Sequence, residues 1–135
     1  MTVHVDGGSR GNPGPAGVGV VITDPEGNVI DRANAYIGEA TNNEAEYRAL
    51  LLGLDRAHAL GAREVDVVND SELIAHQVTG RYKVKKETLR FLHQQARAAL
   101  EGFERWSIRP VPRERNADAD ELVNDAIDAH ASTAG

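Results

Sequence analysis

The sequence predicts an α/β fold: a five-stranded mixed sheet, its first three strands antiparallel, flanked by helices. Three observations carry that expectation. Apolar residues alternate with a period of two through three successive N-terminal segments joined by short turns. Helical and strand-like patterns then follow one another to the C-terminus, which calls for helices on the faces of the sheet. The 135 residues are enough for one domain with a substantial core.

In order, Val3 and Val5 alternate with Thr2, His4 and Asp6 in the first strand, which ends on that aspartate. A loop from Gly7 to Gly14 follows, carrying four glycines and Pro13. Val18, Val20 and Ile22 mark the second strand, and Asp24-Pro25-Glu26-Gly27-Asn28 is a turn. Val29, Asp31, Ala33, Ala35 and Ile37 continue the alternation as the third strand. Thr41-Asn42-Asn43-Glu44 reads as a capping box at the start of a helix that runs to about Leu60, with Gly61 as its stop. Glu64 to Asn69 is a Val-rich strand, and Asp70-Ser71-Glu72 opens a short helix that ends near Gly80. Residues 85–100 place Leu89, Leu92, Ala96 and Ala99 at helical spacing, and Gly102 breaks that helix. Phe103 to Val111 is the fifth strand, closed by Pro110 and Pro112. Ala119, Leu122, Val123, Ala126 and Ile127 form one face of the last helix. Residues 1–130 are expected to form the single domain and 131–135 a flexible tail.

Composition narrows the function. Cysteine is absent, which excludes disulfides and thiolate metal sites. No long apolar run occurs and the N-terminus is too polar for a signal peptide, so a cytoplasmic, soluble protein with no membrane partner is expected. A monomer is the expected state. The net charge of −6 argues against a purely electrostatic nucleic-acid binder. It is compatible with a nuclease that gathers carboxylates around cations.

Each candidate acid has an ordinary structural explanation beside a functional one. Asp6 before Gly7 is either a turn-initiating aspartate or a ligand carried on a stiff strand. Glu44 and Glu46 both lie in the first turn of the long helix, where its dipole favours acids. Leu50, Gly53, Leu54 and Ala57 follow Glu46 at helical spacing, so Glu46 heads an inward stripe and needs a partner such as a cation. Glu44 heads a more polar side, with Arg48 placed for an i,i+4 ion pair. Asp70 is either an N-cap or a ligand. Asp118 and Asp120 both suit the start of the last helix, and Asp120 lies next to the inward Ala119. Carboxylates without histidine or cysteine suit hard cations such as Mg²⁺ or Mn²⁺.

Four segments in order then resemble the ribonuclease H type 1 family: Asp6-Gly7-Gly8-Ser9-Arg10-Gly11-Asn12-Pro13-Gly14, Thr41-Asn42-Asn43-Glu44-Ala45-Glu46, Asn69-Asp70-Ser71 and Asn116-Ala117-Asp118-Ala119-Asp120-Glu121-Leu122. The resemblance spans nearly the whole chain and implies the ribonuclease H-like fold. It implies hydrolysis of the RNA strand of RNA–DNA hybrids by a two-metal-ion mechanism, leaving 5′-phosphate and 3′-hydroxyl ends. It implies Asp6, Glu46, Asp70 and Asp120 as ligands of two Mg²⁺ ions, with Mn²⁺ a possible substitute. Asn12, Asn42 and Asn43 would contact the hybrid in its minor groove and Thr41 a DNA-strand phosphate. The backbone of Gly7, Gly8 and Ser9 would lie near 2′-hydroxyls, the group that distinguishes RNA from DNA.

Two departures stand out. Many relatives carry a histidine in the loop before the last motif, but here the loop reads Pro112-Arg113-Glu114-Arg115-Asn116, where Arg113 and Arg115 are either solvated surface charges or stand-ins for that histidine. The long basic handle of some relatives is reduced to Arg81-Tyr82-Lys83-Val84-Lys85-Lys86. Its Lys83, Lys85 and Lys86 are either a solvated loop and helix start or a patch that tracks a DNA-strand backbone.

Overall fold

The computed structural model of the chain describes the backbone of residues 1–134 and the side chains of residues 1–132. Its strands are β1 (Thr2–Ser9), β2 (Gly14–Thr23), β3 (Val29–Ala40), β4 (Glu64–Asn69) and β5 (Arg105–Pro110). Its α-helices are α1 (Asn42–Ala59), α2 (Glu72–Val78), α3 (Glu87–Glu101) and α4 (Ala117–Ala134). A 3-10 turn, Arg113–Asn116, connects β5 to α4.

The strands form one five-stranded sheet in the order β3-β2-β1-β4-β5. β1 pairs antiparallel with β2, and β2 with β3, whereas β4 runs parallel to both β1 and β5. The expected mixed sheet is therefore present, with β1 at its centre. Val3, Val5, Val20 and Ile22 of the sheet pack with Leu50 and Leu54 of α1 and with Leu89, Ala96 and Leu100 of α3 in the main core. α4 covers the opposite face through β2 and β3.

Several boundaries differ from the sequence reading. Gly7, Gly8 and Ser9 are not a loop: they continue β1 in register with Val18, Gly17 and Ala16. The connection shrinks to residues 10–13, and Asp6 lies inside the strand instead of at its end. Glycine weakens the alternation pattern, but its backbone still makes ladder hydrogen bonds. α4 runs through Ala134, so 131–134 carry helical backbone where a flexible tail was expected; Gly135 lies outside the described residues. The 3-10 turn was not anticipated.

Glycines set how closely the helices approach. A Cβ on Gly7 would stand 2.1 Å from the Ala45 carbonyl oxygen of α1. A Cβ on Gly19 would stand 2.3 Å from the Ala119 carbonyl oxygen of α4. Side chains alternate across a strand, so β1 offers Gly7 to one helix and Asp6 to the other.

Candidate active site

Asp6, Glu46, Asp70 and Asp120 line a single cleft together with Gly7, Asn42 and Arg113. Asp6 comes from the central strand and is only 7% exposed. Asp70 immediately follows β4, the parallel neighbour of β1. Glu46 lies in the second turn of α1, where Leu50, Gly53, Leu54 and Ala57 below it are all buried, matching the inward stripe. Asp120 lies in the first turn of α4.

The neighbouring candidates do other work. Glu44 completes the capping box: its backbone N–H donates to Thr41 Oγ1 at 3.2 Å, and its carboxylate accepts from the Thr41 backbone at 3.2 Å. Glu44 and Arg48 form no ion pair among the described residues. Asp118 is exposed and lines a separate cavity of about 250 Å³ with His4 and Arg115. Asp70 is not the cap of α2; Ser71 is, its hydroxyl accepting from the Ile74 N–H at 3.2 Å. The simplest structural explanation of Asp70 therefore falls away. Ser71 also faces Glu46 and favours its ionised form. Sequence reading missed that double role, because the aspartate beside it is an equally good cap residue.

The electrostatics of the cleft are unbalanced. Burial, reinforced by the charges of Asp70, Asp120 and Glu46, pushes the Asp6 carboxyl up to about 8. Burial raises Glu46 to about 7, against the opposing pull of Ser71 and Arg113. Burial also raises Asp70, and the Arg113 guanidinium opposes that rise. Crowded carboxylates that resist ionising are what a bound cation would relieve. Among the described residues, no three or more histidine or acidic side chains form a ready-made metal cage. The oxygen donors nevertheless fit Mg²⁺, which keeps several waters and relies on few carboxylates plus substrate phosphate.

Beside the acids, the β1–β2 turn is laced to the start of α1. The Asn42 N–H donates to Asn12 Oδ1 at 3.1 Å, and Asn42 Oδ1 accepts from the Ser9 N–H at 2.9 Å. Both amide oxygens are thus engaged, while both Nδ2 groups keep donors without a protein partner among the described residues. The Thr41 hydroxyl donates to Glu44 at 3.0 Å, so it is already committed to the cap. Asn43 is half-buried in the first turn of α1. Gly8 faces Val123 of α4, whose Cγ1 would be 3.9 Å from an added Cβ. Lys83, Lys85 and Lys86 are exposed between α2 and α3, and none lines the acid cleft. Arg113 lines that cleft and Arg115 does not, which separates the two arginines.

This sheet order, with acids from two parallel strands and two helices converging at its centre, defines a ribonuclease H-like domain. The model of the reverse transcriptase-like family matches residues 4–126. The bifunctional protein Rv2228c of Mycobacterium tuberculosis is 50% identical over 135 residues, covering 99% of this chain and 37% of that protein. The solved N-terminal RNase H domain of Rv2228c superposes with a TM-score of 0.94 at 49% identity, covering 99% of this chain and 97% of that one. Ribonuclease HI of Halobacterium salinarum is 43% identical, with 93% of this chain and 63% of that protein covered. LC11-RNase H1, solved in complex with an RNA/DNA hybrid, gives a TM-score of 0.91 at 47% identity, covering 96% of this chain and 97% of that one. The chain belongs to the ribonuclease H type 1 family. It spans little more than a third of the length of the mycobacterial relative.

Proposed function

We propose that the chain hydrolyses the RNA strand of RNA–DNA hybrids with two Mg²⁺ ions held by Asp6, Glu46, Asp70 and Asp120, leaving 5′-phosphate and 3′-hydroxyl ends. The convergence of those four acids on one cleft is the observation that carries this reading. LC11-RNase H1, at 47% identity, supplies the substrate class. When bound, the ions supply charge stabilisation at the attacked phosphodiester and activation of the water nucleophile; Mn²⁺ can substitute.

The protein's own groups bind and orient. Asp6, whose ionisation the neighbouring Asp70 and Asp120 oppose, is the central carboxylate. The Nδ2 donors of Asn12 and Asn42 suit the acceptor-rich minor-groove edges of bases, and their engaged oxygens keep both amides in one orientation. The backbone of Gly7, Gly8 and Ser9 adjoins these amides and would lie near 2′-hydroxyls in a bound hybrid. Thr41 can meet a phosphate only by sharing or giving up its bond to Glu44. Arg113 sets a fixed positive charge beside the acids, in the role open for want of a loop histidine.

The test is incubation of an end-labelled hybrid with Mg²⁺, alongside double-stranded RNA and duplex DNA. Cleavage of the RNA strand to 5′-phosphate fragments is expected. An intact hybrid in both Mg²⁺ and Mn²⁺ would refute the proposal, and cutting of the DNA duplex would indicate a broader nuclease.

A further inference from the structure

Asn116 ends the 3-10 turn and is only 2% exposed. Its Nδ2 donates to the Val5 carbonyl at 2.8 Å, across 111 residues of sequence. Val5 precedes Asp6, and Asp120 lies about one helical turn after Asn116. A single buried hydrogen bond therefore joins the strand that carries one acid to the start of the helix that carries another.

That bond orients the amide and leaves Asn116 Oδ1 buried with no donor among the described residues. The only other such atom there is Oδ1 of Asn69, the residue just before Asp70. Continuing the parallel register past His4↔Val68 sets Asn69 beside Val5. Each of these two buried asparagines thus lies close in sequence to an acid of the cleft, Asn69 before Asp70 and Asn116 four residues before Asp120.

We propose that Asn116 is a positioning residue, whose amide holds the first turn of α4 against Val5 and so sets the separation of Asp120 from Asp6. The inference rests on the reading of those acids as cation ligands. Residues that orient ligands typically change metal affinity or activity by about 10–100-fold when removed.

The experiment is Mg²⁺ titration by calorimetry on the hybrid-free protein, paired with steady-state cleavage, for wild type, Asn116→Ala and Leu100→Ala. Leu100 is fully buried in α3, away from the cleft, and its truncation controls for lost stability. Asn116→Ala should weaken Mg²⁺ binding about tenfold or more and lower kcat by a similar factor, with KM for hybrid changed less than about threefold. Leu100→Ala should leave Mg²⁺ affinity unchanged at a temperature where it remains folded. Wild-type Mg²⁺ affinity in Asn116→Ala would overturn the inference, as would an equal loss in Leu100→Ala. Should Asn116→Ala fail to fold, Asn116→Ser carries the same thresholds. A wild type that binds no Mg²⁺ would instead sink the cation reading itself.

Discussion

Asp6 and Gly19 are partners across the β1–β2 ladder, and the side chain Gly19 lacks is the space that the Ala119 carbonyl occupies. Partners in a ladder share a face, so the first turn of α4 descends beside Asp6 and delivers Asp120 to it. A methyl group at Gly19 would meet backbone that cannot turn aside, 2.3 Å away. Gly19→Ala is therefore expected to lower stability by about 1–3 kcal/mol through overpacking. It should also cut cleavage about tenfold, because α4 must move. Gly8→Ala, with only Val123 at 3.9 Å, should melt close to wild type. Equal melting temperatures and turnover for Gly19→Ala and wild type would refute the packing argument.

Asp6→Asn is expected to abolish hydrolysis, leave hybrid binding largely intact and raise the melting temperature of the metal-free protein. In the unfolded chain the carboxyl titrates near 3.8, and in the fold at about 8. Between those values the folded protein holds a proton that the unfolded chain has released, so stability falls as pH rises through that window. Glu46, raised by burial to about 7, acts in the same direction. Melting of metal-free wild type from pH 4 to 8 should therefore decline more steeply than that of Asp6→Asn, with Mg²⁺ restoring most at the alkaline end. Each kcal/mol corresponds to about 4 °C at this chain length. A variant that melts lower than wild type at pH 8 would refute the charge-crowding account.

Much of this site could be read from the chain. The capping box located the start of α1, and the buried stripe of Leu50, Gly53, Leu54 and Ala57 pointed Glu46 inward. Other features depend on what the chain meets after folding. Glycine at 7, 8, 17 and 19 has no side chain to show a face, so β1 and β2 read shorter than they are, and their helix contacts were invisible. Asp70 and Ser71 have equal claims to cap α2, and only the geometry chooses Ser71. Arg113 and Arg115 differ by about two-thirds of a turn of a 3-10 segment that no periodicity announced.

Glu44→Gln and Glu46→Gln separate the two acids of α1. Glutamine also serves at the third position of a capping box, so Glu44→Gln should retain most activity and stability. Glu46 has no capping duty and lines the cleft, so Glu46→Gln should lower cleavage by about 100-fold while the helix stays intact by circular dichroism. The reverse ranking in a cleavage assay would contradict the facing of α1.

Arg113→Ala and Arg115→Ala separate the two arginines of the 3-10 turn. Arg113 faces the acids and favours the ionised forms of Glu46 and Asp70, whereas Arg115 borders the cavity beside His4. Removing the Arg113 charge lets both carboxyls rise further, so more of each is protonated at a given pH. The acidic limb of the pH–rate profile should then move to higher pH, and turnover near neutrality should fall about tenfold. Arg115 is exposed and outside the cleft, so Arg115→Ala should keep the wild-type limb and turnover within about twofold. An unmoved limb in Arg113→Ala would show that its charge does not act on these acids. A larger loss in Arg115→Ala than in Arg113→Ala would reverse their assignment.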